Sequence, residues 1–283
     1  MSNDNSIVSR SWCAYFAANS TSAEGLPWRH AGTLTSAERR VIAKSIQQFQ
    51  LGEGAEGRRL LKRGLDSDQC SNDPHFVEAL RLFIKEEQRH STMLGRFMRT
   101  EGISALQGHW LDGIFRCIRV LSGLELELRV LVTAEVIAVP YYRALGAATK
   151  SELLGAICAV ILSDEAAHLR FQRSILTRLS AARDPGLRCL ITLLHRIFLL
   201  GTCCVIWLEH RRVFCAAGYS FGRFVEQSLS HMSALEAPVL QTPRIGAARF
   251  RIAKPCNCRA LLGDCLRQEA SCNLPLLLAS LNA

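Results

Sequence analysis

Proline is scarce in this chain, with 8 in 283 residues, and glycine stands at 19. That excludes a fibrous chain. With Leu, Ala, Arg and Glu dominating the centre, it favours helix over sheet, and no β-type alternation competes. Lysine is rarer still: 5 of the 34 basic residues, the rest being Arg, for a formal net charge of +9. Residues 184–283 hold 11 basic and 6 acidic groups and so carry +5 of that excess. No interleaving of aromatic and basic residues accompanies the charge, which leaves nucleic acid a secondary expectation. A long apolar run is missing as well. The longest uncharged run near the end, Ile197 to Leu208, is bounded by Arg196 and Glu209. Twelve residues are too few to cross a bilayer as a helix, so no membrane span is expected. The opening Met1-Ser-Asn-Asp-Asn-Ser lacks a basic segment followed by an apolar one, so no secretory leader is expected.

Twelve cysteines are present, and in so large a chain they do not describe a disulfide scaffold. Cys117, Cys158, Cys189, Cys203 and Cys204 lie in apolar runs and read as small buried hydrophobes, in a reducing cytoplasm. Cys256, Cys258, Cys265 and Cys272 do not form a zinc-type paired set. Apolar residues make up 49% of the chain, enough to bury a full core.

Residues 1–34 are polar and small and read as an irregular arm. Thr35 with Glu38 forms a capping box that opens a helix running to about Leu65. Asp73-Pro74 opens a second, to about Glu101. A third covers about 111–147 with a break near Gly123, and Pro140 inside it removes one backbone hydrogen bond. Thr149 with Glu152 opens a fourth, which stops before Asp184-Pro185-Gly186. Two further helices reach about Ala217 and Met232. The expectation is all-α: an antiparallel four-helix bundle over 35–182, two additional C-terminal helices over 183–233 packed on it, and an irregular tail over 234–283.

Each of the first four helices carries an apolar stripe in steps of three and four, and each stripe is interrupted by a carboxylate. The first reads Ile42, Ile46, Phe49, Glu53, Glu56, Leu60. The second reads Leu80, Phe83, Glu87, His90, Leu94, Phe97. The third reads Leu124, Leu128, Leu131, Glu135, Ala138, Tyr142. The fourth reads Ile157, Ile161, Glu165, His168, Phe171, Ile175. Burying four carboxylates and two imidazoles together costs several kcal/mol per group unless something neutralises them, and a pair of divalent cations does that. The step of three in Glu87-x-x-His90 and Glu165-x-x-His168 puts both donors on one face. With 17 Glu and 8 His in 283 positions, chance supplies about 0.5 such motifs, so the weight lies in the conjunction. Both motifs fall in phase on core stripes, and each follows an in-phase Glu on the preceding helix, 34 and 30 residues earlier.

This set, Phe49-Gln-Leu-Gly-Glu53, Glu87-x-x-His90, Glu135 and Glu165-x-x-His168, resembles the ferritin-like superfamily of di-iron carboxylate proteins. The resemblance covers about residues 35–182. It implies a bundle holding two Fe ions, although the ligand types suit Mn as well. It further implies a non-haem di-iron oxidoreductase that activates O2 to oxidise or hydroxylate a small-molecule substrate, supplied by an electron donor. Other superfamily activities are iron binding with ferroxidase turnover and tRNA hydroxylation. No Cys-x-x-Cys pairs stand at rubredoxin spacing, which argues against a rubrerythrin. The chain is also long for a storage ferritin; a homodimer is compatible with the pattern.

Glu53 is preferred over Glu56 as the first-helix ligand, because aligning the two halves by their stripes matches Glu53 with Glu135 and Glu56 with Ala138. Gly52 would let the neighbouring helix approach, and Glu56 would line the pocket or join as an extra ligand. Glu86 and Asp164 each precede a ligand Glu. Asp164 is expected to orient His90, and Glu86 to orient His168. Tyr142 is a pocket residue on the same stripe as Glu135. His195 and His210 lie apart from the repeat and read as core or surface histidines.

Overall fold

The computed structural model describes residues 2–54, 57–67, 73–108, 123–181 and 183–237, without the side chains of 2–5 and Arg58. It is all-helical over these residues, with no strand among them. The helices are α1 (Ser2–Ala18), α2 (Ser36–Gly54), α3 (Arg58–Leu65), α4 (Phe76–Thr100), α5 (Leu124–Ala147), α6 (Glu152–Ser180), α7 (Pro185–Ala216) and α8 (Phe221–Glu236), with short 3-10 turns at Asn19–Thr21 and Trp28–His30. Residues 238–283, and with them the four tail cysteines, lie outside the described residues.

The strongest packing is of α5 on α6 and of α2 on α4, and α4 also meets α6. The link between α5 and α6 is so short that the two must run antiparallel. α7 lies against α2 and α5, and α8 against α5 and α7. One apolar cluster, with Ile42, Ile46, Leu94, Phe97, Val136 and Ile157 at its centre, joins α2, α4, α5 and α6 and extends to α7 and α8. A second, around Leu80, Phe83, Leu128 and Phe171, joins α1, α4, α5 and α6. The carboxylate-bearing stripes thus face one another between two apolar layers.

Several local expectations are met and several are corrected. The capping box at α2 forms: Thr35 N donates to Glu38 Oε2 at 2.9 Å, and Glu38 N donates to Thr35 Oγ1 at 3.2 Å. The cap of α6 is Ser151 rather than Thr149, because Ser151 Oγ accepts from Leu154 N at 3.3 Å; Thr149 Oγ1 instead accepts from Ser151 N. The first helix does not run on to Leu65. It ends at Gly54 and resumes at Arg58 past Gly57, whose φ of 140° belongs to the region that only glycine enters readily. A Cβ on Gly57 would also stand 2.8 Å from Ile84 Cγ2, and one on Gly54 would stand 2.9 Å from Ser91 Oγ. Gly54, not Gly52, is therefore the residue that admits α4; a Cβ on Gly52 would meet nothing within 4 Å beyond its own helix.

Residues 1–34 are not an irregular arm. α1 lies on α4 through Trp12 and Phe16, both buried. Their rings meet Phe171 at 5.6 and 5.3 Å between centroids. These two large aromatic rings are the buried anchors of α1, and truncating either to Ala should cost about 3–5 kcal/mol. Of the cysteines read as buried, Cys158 and Cys203 are; Cys189 and Cys204 are exposed, and Cys117 lies outside the described residues.

Among the described residues two helices, α5 and α7, are long and apolar enough to cross a membrane by length and composition alone. The most apolar stretch of α5 is 78% buried and belongs to the core. α7 spans 32 residues because Arg188, Arg196 and Glu209 interrupt its apolar run without ending the helix. Its most apolar stretch has mean hydropathy 2.1 and is only 28% buried. Counting only the interval between Arg196 and Glu209 understated its length.

Candidate metal centre

α2 supplies Glu53, α4 supplies Glu87 and His90, α5 supplies Glu135, and α6 supplies Glu165 and His168. All six side chains are buried. They form two groups in which one ligand atom per residue lies within 4.8 Å of every other. The first is Glu53, Glu87, His90 and Glu165; the second is Glu87, Glu135, Glu165 and His168. Glu87 and Glu165 belong to both. Donor separations fit ions: His90 Nδ1 stands 3.5 Å from Glu53 Oε2 and 3.7 Å from Glu165 Oε1. His168 Nδ1 stands 2.8 Å from Glu87 Oε1 and 3.5 Å from Glu165 Oε2. Ligands about 2.1 Å from a common cation are about 3.0–3.5 Å apart.

Hydrogen bonding provides an independent check of fit. Glu87 Oε1, His90 Nδ1, Glu135 Oε2, Glu165 Oε2 and His168 Nδ1 are buried with no hydrogen-bond partner among the described residues. Orphaned donors and acceptors at one level of a core cost about 1–3 kcal/mol each, and more when charged. The outer ring nitrogens, by contrast, are satisfied. His90 Nε2 bonds Asp164 Oδ2 at 3.0 Å, and His168 Nε2 bonds Glu86 Oε2 at 3.0 Å. A carboxylate on Nε2 fixes a proton there and leaves the inward Nδ1 as the nitrogen that can give up its proton to a metal.

Behind these carboxylates stands a lattice that the sequence reading missed. Asn19 Nδ2 donates to both Glu86 Oε1 (2.6 Å) and Asp164 Oδ1 (2.8 Å). Arg89 donates to Glu86 Oε1 (3.0 Å), to Asp164 Oδ2 (2.8 Å) and to the Asn19 carbonyl (2.9 Å). Asn19 and Arg89 therefore tie both histidine-orienting carboxylates into one unit, with the end of α1 as its lid. Arg89 sits at i+3 from Glu86 and was open to detection by spacing; Asn19, 67 residues from Glu86, was not. Two further contacts hold the inner ligands. Tyr142 donates to Glu53 Oε1, and Gln172, also unforeseen, donates to Glu135 Oε1. Glu56 lies outside the described residues.

Electrostatics reports the same demand for positive charge. Burial opposes protonation of His90, but the bond to Asp164 and the nearby carboxylate of Glu53 outweigh it and lift its pKa to about 10. His168 is likewise raised, burial being outweighed by Glu87, Glu165 and Glu86. Burial and the neighbouring carboxylates push Glu87 and Glu135 upward. Glu53 is held low, because the nearby His90, with Glu87 and Tyr142, overcomes its burial. Asp164 too is held low despite burial, by His90, Asn19 and Arg89. Protons thus gather on the cluster in the role cations would fill.

Searches against protein-family models, curated proteins and solved structures gave no match.

His195 and His210 are held by core hydrogen bonds away from the centre. His195 Nε2 bonds Thr133 Oγ1 at 3.0 Å and the Arg129 carbonyl at 2.9 Å, and its pKa is pushed down to about 4 by burial and the Arg129 charge. His210 Nδ1 bonds Ser45 Oγ at 2.9 Å, and Ser45 in turn bonds the Tyr141 hydroxyl. Neither touches the centre.

Proposed function

We propose that the chain is a ferritin-like di-metal protein, with two irons as the resident pair, and that it acts as an oxidoreductase that uses O2 on a small organic substrate. The observation that carries the reading is the sharing of Glu87 and Glu165 between two four-residue groups. Glu53 and His90 would complete one ion's shell, Glu135 and His168 the other's. Four carboxylates balance two divalent cations without residual charge, which removes the burial cost that six such side chains otherwise impose. Bound and reduced, the pair would supply electrons for O2 reduction at open coordination positions.

The chain's own residues prepare that chemistry. Asp164 and Glu86 retain the imidazole protons at Nε2 and so leave each Nδ1 as the nitrogen that would exchange its proton for a metal. Tyr142 and Gln172 each occupy one oxygen of an end carboxylate, Glu53 and Glu135, which limits how those carboxylates rotate. Phe83 and Phe16 place rings 4.8 and 6.1 Å from the His168 ring and help exclude water. The outer lattice holds its geometry through charge-assisted bonds, which are stronger than neutral ones.

The test is metal analysis of the full chain, expected at two irons per chain, followed by oxygen uptake by the Fe(II) protein. Less than one bound metal per chain after loading would overturn the reading. Turnover of free Fe(II) within a large symmetric assembly would replace the oxidoreductase with a ferroxidase. Steeply salt-dependent RNA binding would point to a tRNA hydroxylase.

A further inference from the structure

The outward face of α7 has no role in the metal centre and no cover among the described residues. Leu187, Leu190, Leu194, Ile197, Cys204 and Leu208 follow one another, with Gly201 between Ile197 and Cys204, in strictly alternating steps of three and four. The five large residues of this row are 47%, 51%, 55%, 55% and 68% exposed. A period of 3.5 residues is the pattern of a seam between two helices rather than the broader stripe of a helix packed on a core. The opposite face of α7 is already committed: Leu199, Cys203 and Phe214 are buried in the core, Arg196 pairs with Glu236, and Glu209 with Lys44. An occupant must therefore lie along one side of α7, over a row about 32 Å long at 1.5 Å per residue.

We infer that this seam pairs with the same seam of a second copy of the chain, the two α7 helices antiparallel about a two-fold axis near Ile197. With the flanking Leu193 and Leu200, 54% and 40% exposed, the face presents on the order of 600 Å² of apolar surface. That is large for a monomer and approaches the roughly 800 Å² per partner of a stable interface. The pattern is self-complementary, as a two-fold interface requires. Charge decides the direction. Parallel pairing would set the exposed Arg211 and Arg212 beside the same residues of the second copy. Antiparallel pairing about a point midway between Ile197 and Phe198 carries Arg211 to the exposed Asp184 at the start of the opposite α7 and sets Leu194 against Gly201, where a missing side chain admits it.

The mass of the full chain in solution tests the inference, measured by light scattering on size-exclusion effluent at micromolar concentration. The expected value is twice 31.4 kDa. The double substitution Leu194→Glu with Ile197→Glu should raise the dimer dissociation constant more than about tenfold, while helical content stays unchanged. Ile197→Cys should give a reducible covalent dimer on mild oxidation, joined through the two introduced thiols beside the axis. A monomeric wild-type chain overturns the inference, and so does a dimer insensitive to the double substitution. A disulfide between the two native Cys204 thiols would show parallel pairing and overturn the antiparallel arrangement. Flotation of a monomeric wild-type chain with anionic phospholipid vesicles, abolished by the same double substitution, would assign the face to a membrane surface instead. The metal content of the chain bears on none of these outcomes.

Discussion

Replacing Asp164 by Asn keeps the side chain's shape and removes its charge, and the hydrogen bonds around it define what should follow. Asp164 Oδ2 receives His90 Nε2 at 3.0 Å and Arg89 at 2.8 Å, while Oδ1 receives Asn19 at 2.8 Å. All three partners are donors. An amide can satisfy at most two of them through its oxygen, and its NH2 must then face a donor. His90 thereby loses the anion that fixes its proton on Nε2, and the inward Nδ1 is no longer committed to binding. Loss of such a partner typically weakens metal affinity 10- to 100-fold, about 1.4–2.7 kcal/mol. The effect should be lopsided, since His168 keeps its own partner Glu86. Anaerobic titration of the metal-free chain with Fe(II), with bound metal counted after dialysis, should give a first equivalent near wild-type affinity and a second that is weakened. Glu86→Gln should weaken the His168 side instead. Full retention of both equivalents in Asp164→Asn, or equal loss of both, would refute the argument that each carboxylate serves one histidine.

Three further outcomes are expected. Glu53→Ala should lose about one metal per chain and Glu56→Ala close to none; the reverse pattern in metal counts would reassign the α2 ligand. Asn19→Ala leaves Glu86 and Asp164 each short of one donor, so thermal or urea unfolding should show a loss of about 1–3 kcal/mol, with a stability unchanged from wild type counting against the lattice. His195 supplies a pH dependence. Its folded pKa of about 4 lies below the ordinary 6.5, so the unfolded chain takes up this proton first as pH falls. Stability from this group is complete above pH 6.5 and is lost progressively as pH falls to about 4, by about 3 kcal/mol. Urea unfolding of wild type against His195→Asn across that range should show the slope in wild type alone.

The stripes alone determined that four helices would each present a carboxylate, and two of them a histidine, at one level of a core. Helix periodicity is a local property, so Glu53, Glu87, His90, Glu135, Glu165 and His168 were legible without coordinates. The pairing of Asp164 with His90 and of Glu86 with His168 was legible too, because a residue one step off the stripe must point towards a neighbouring helix. Only the tertiary structure decided what stands behind them. Asn19 reaches Glu86 and Asp164 from 67 and 145 residues away, and no spacing rule links positions so distant. α1 itself was hidden, since two buried aromatic rings in a polar segment make too thin a stripe to read. The break at Gly54–Gly57 was hidden for the opposite reason: the apolar pattern runs on past it, while the backbone yields to Ser91 and Ile84 on α4. The exposed seam of α7 was no more visible, because a sequence states which residues are apolar and only packing states which of them are left uncovered.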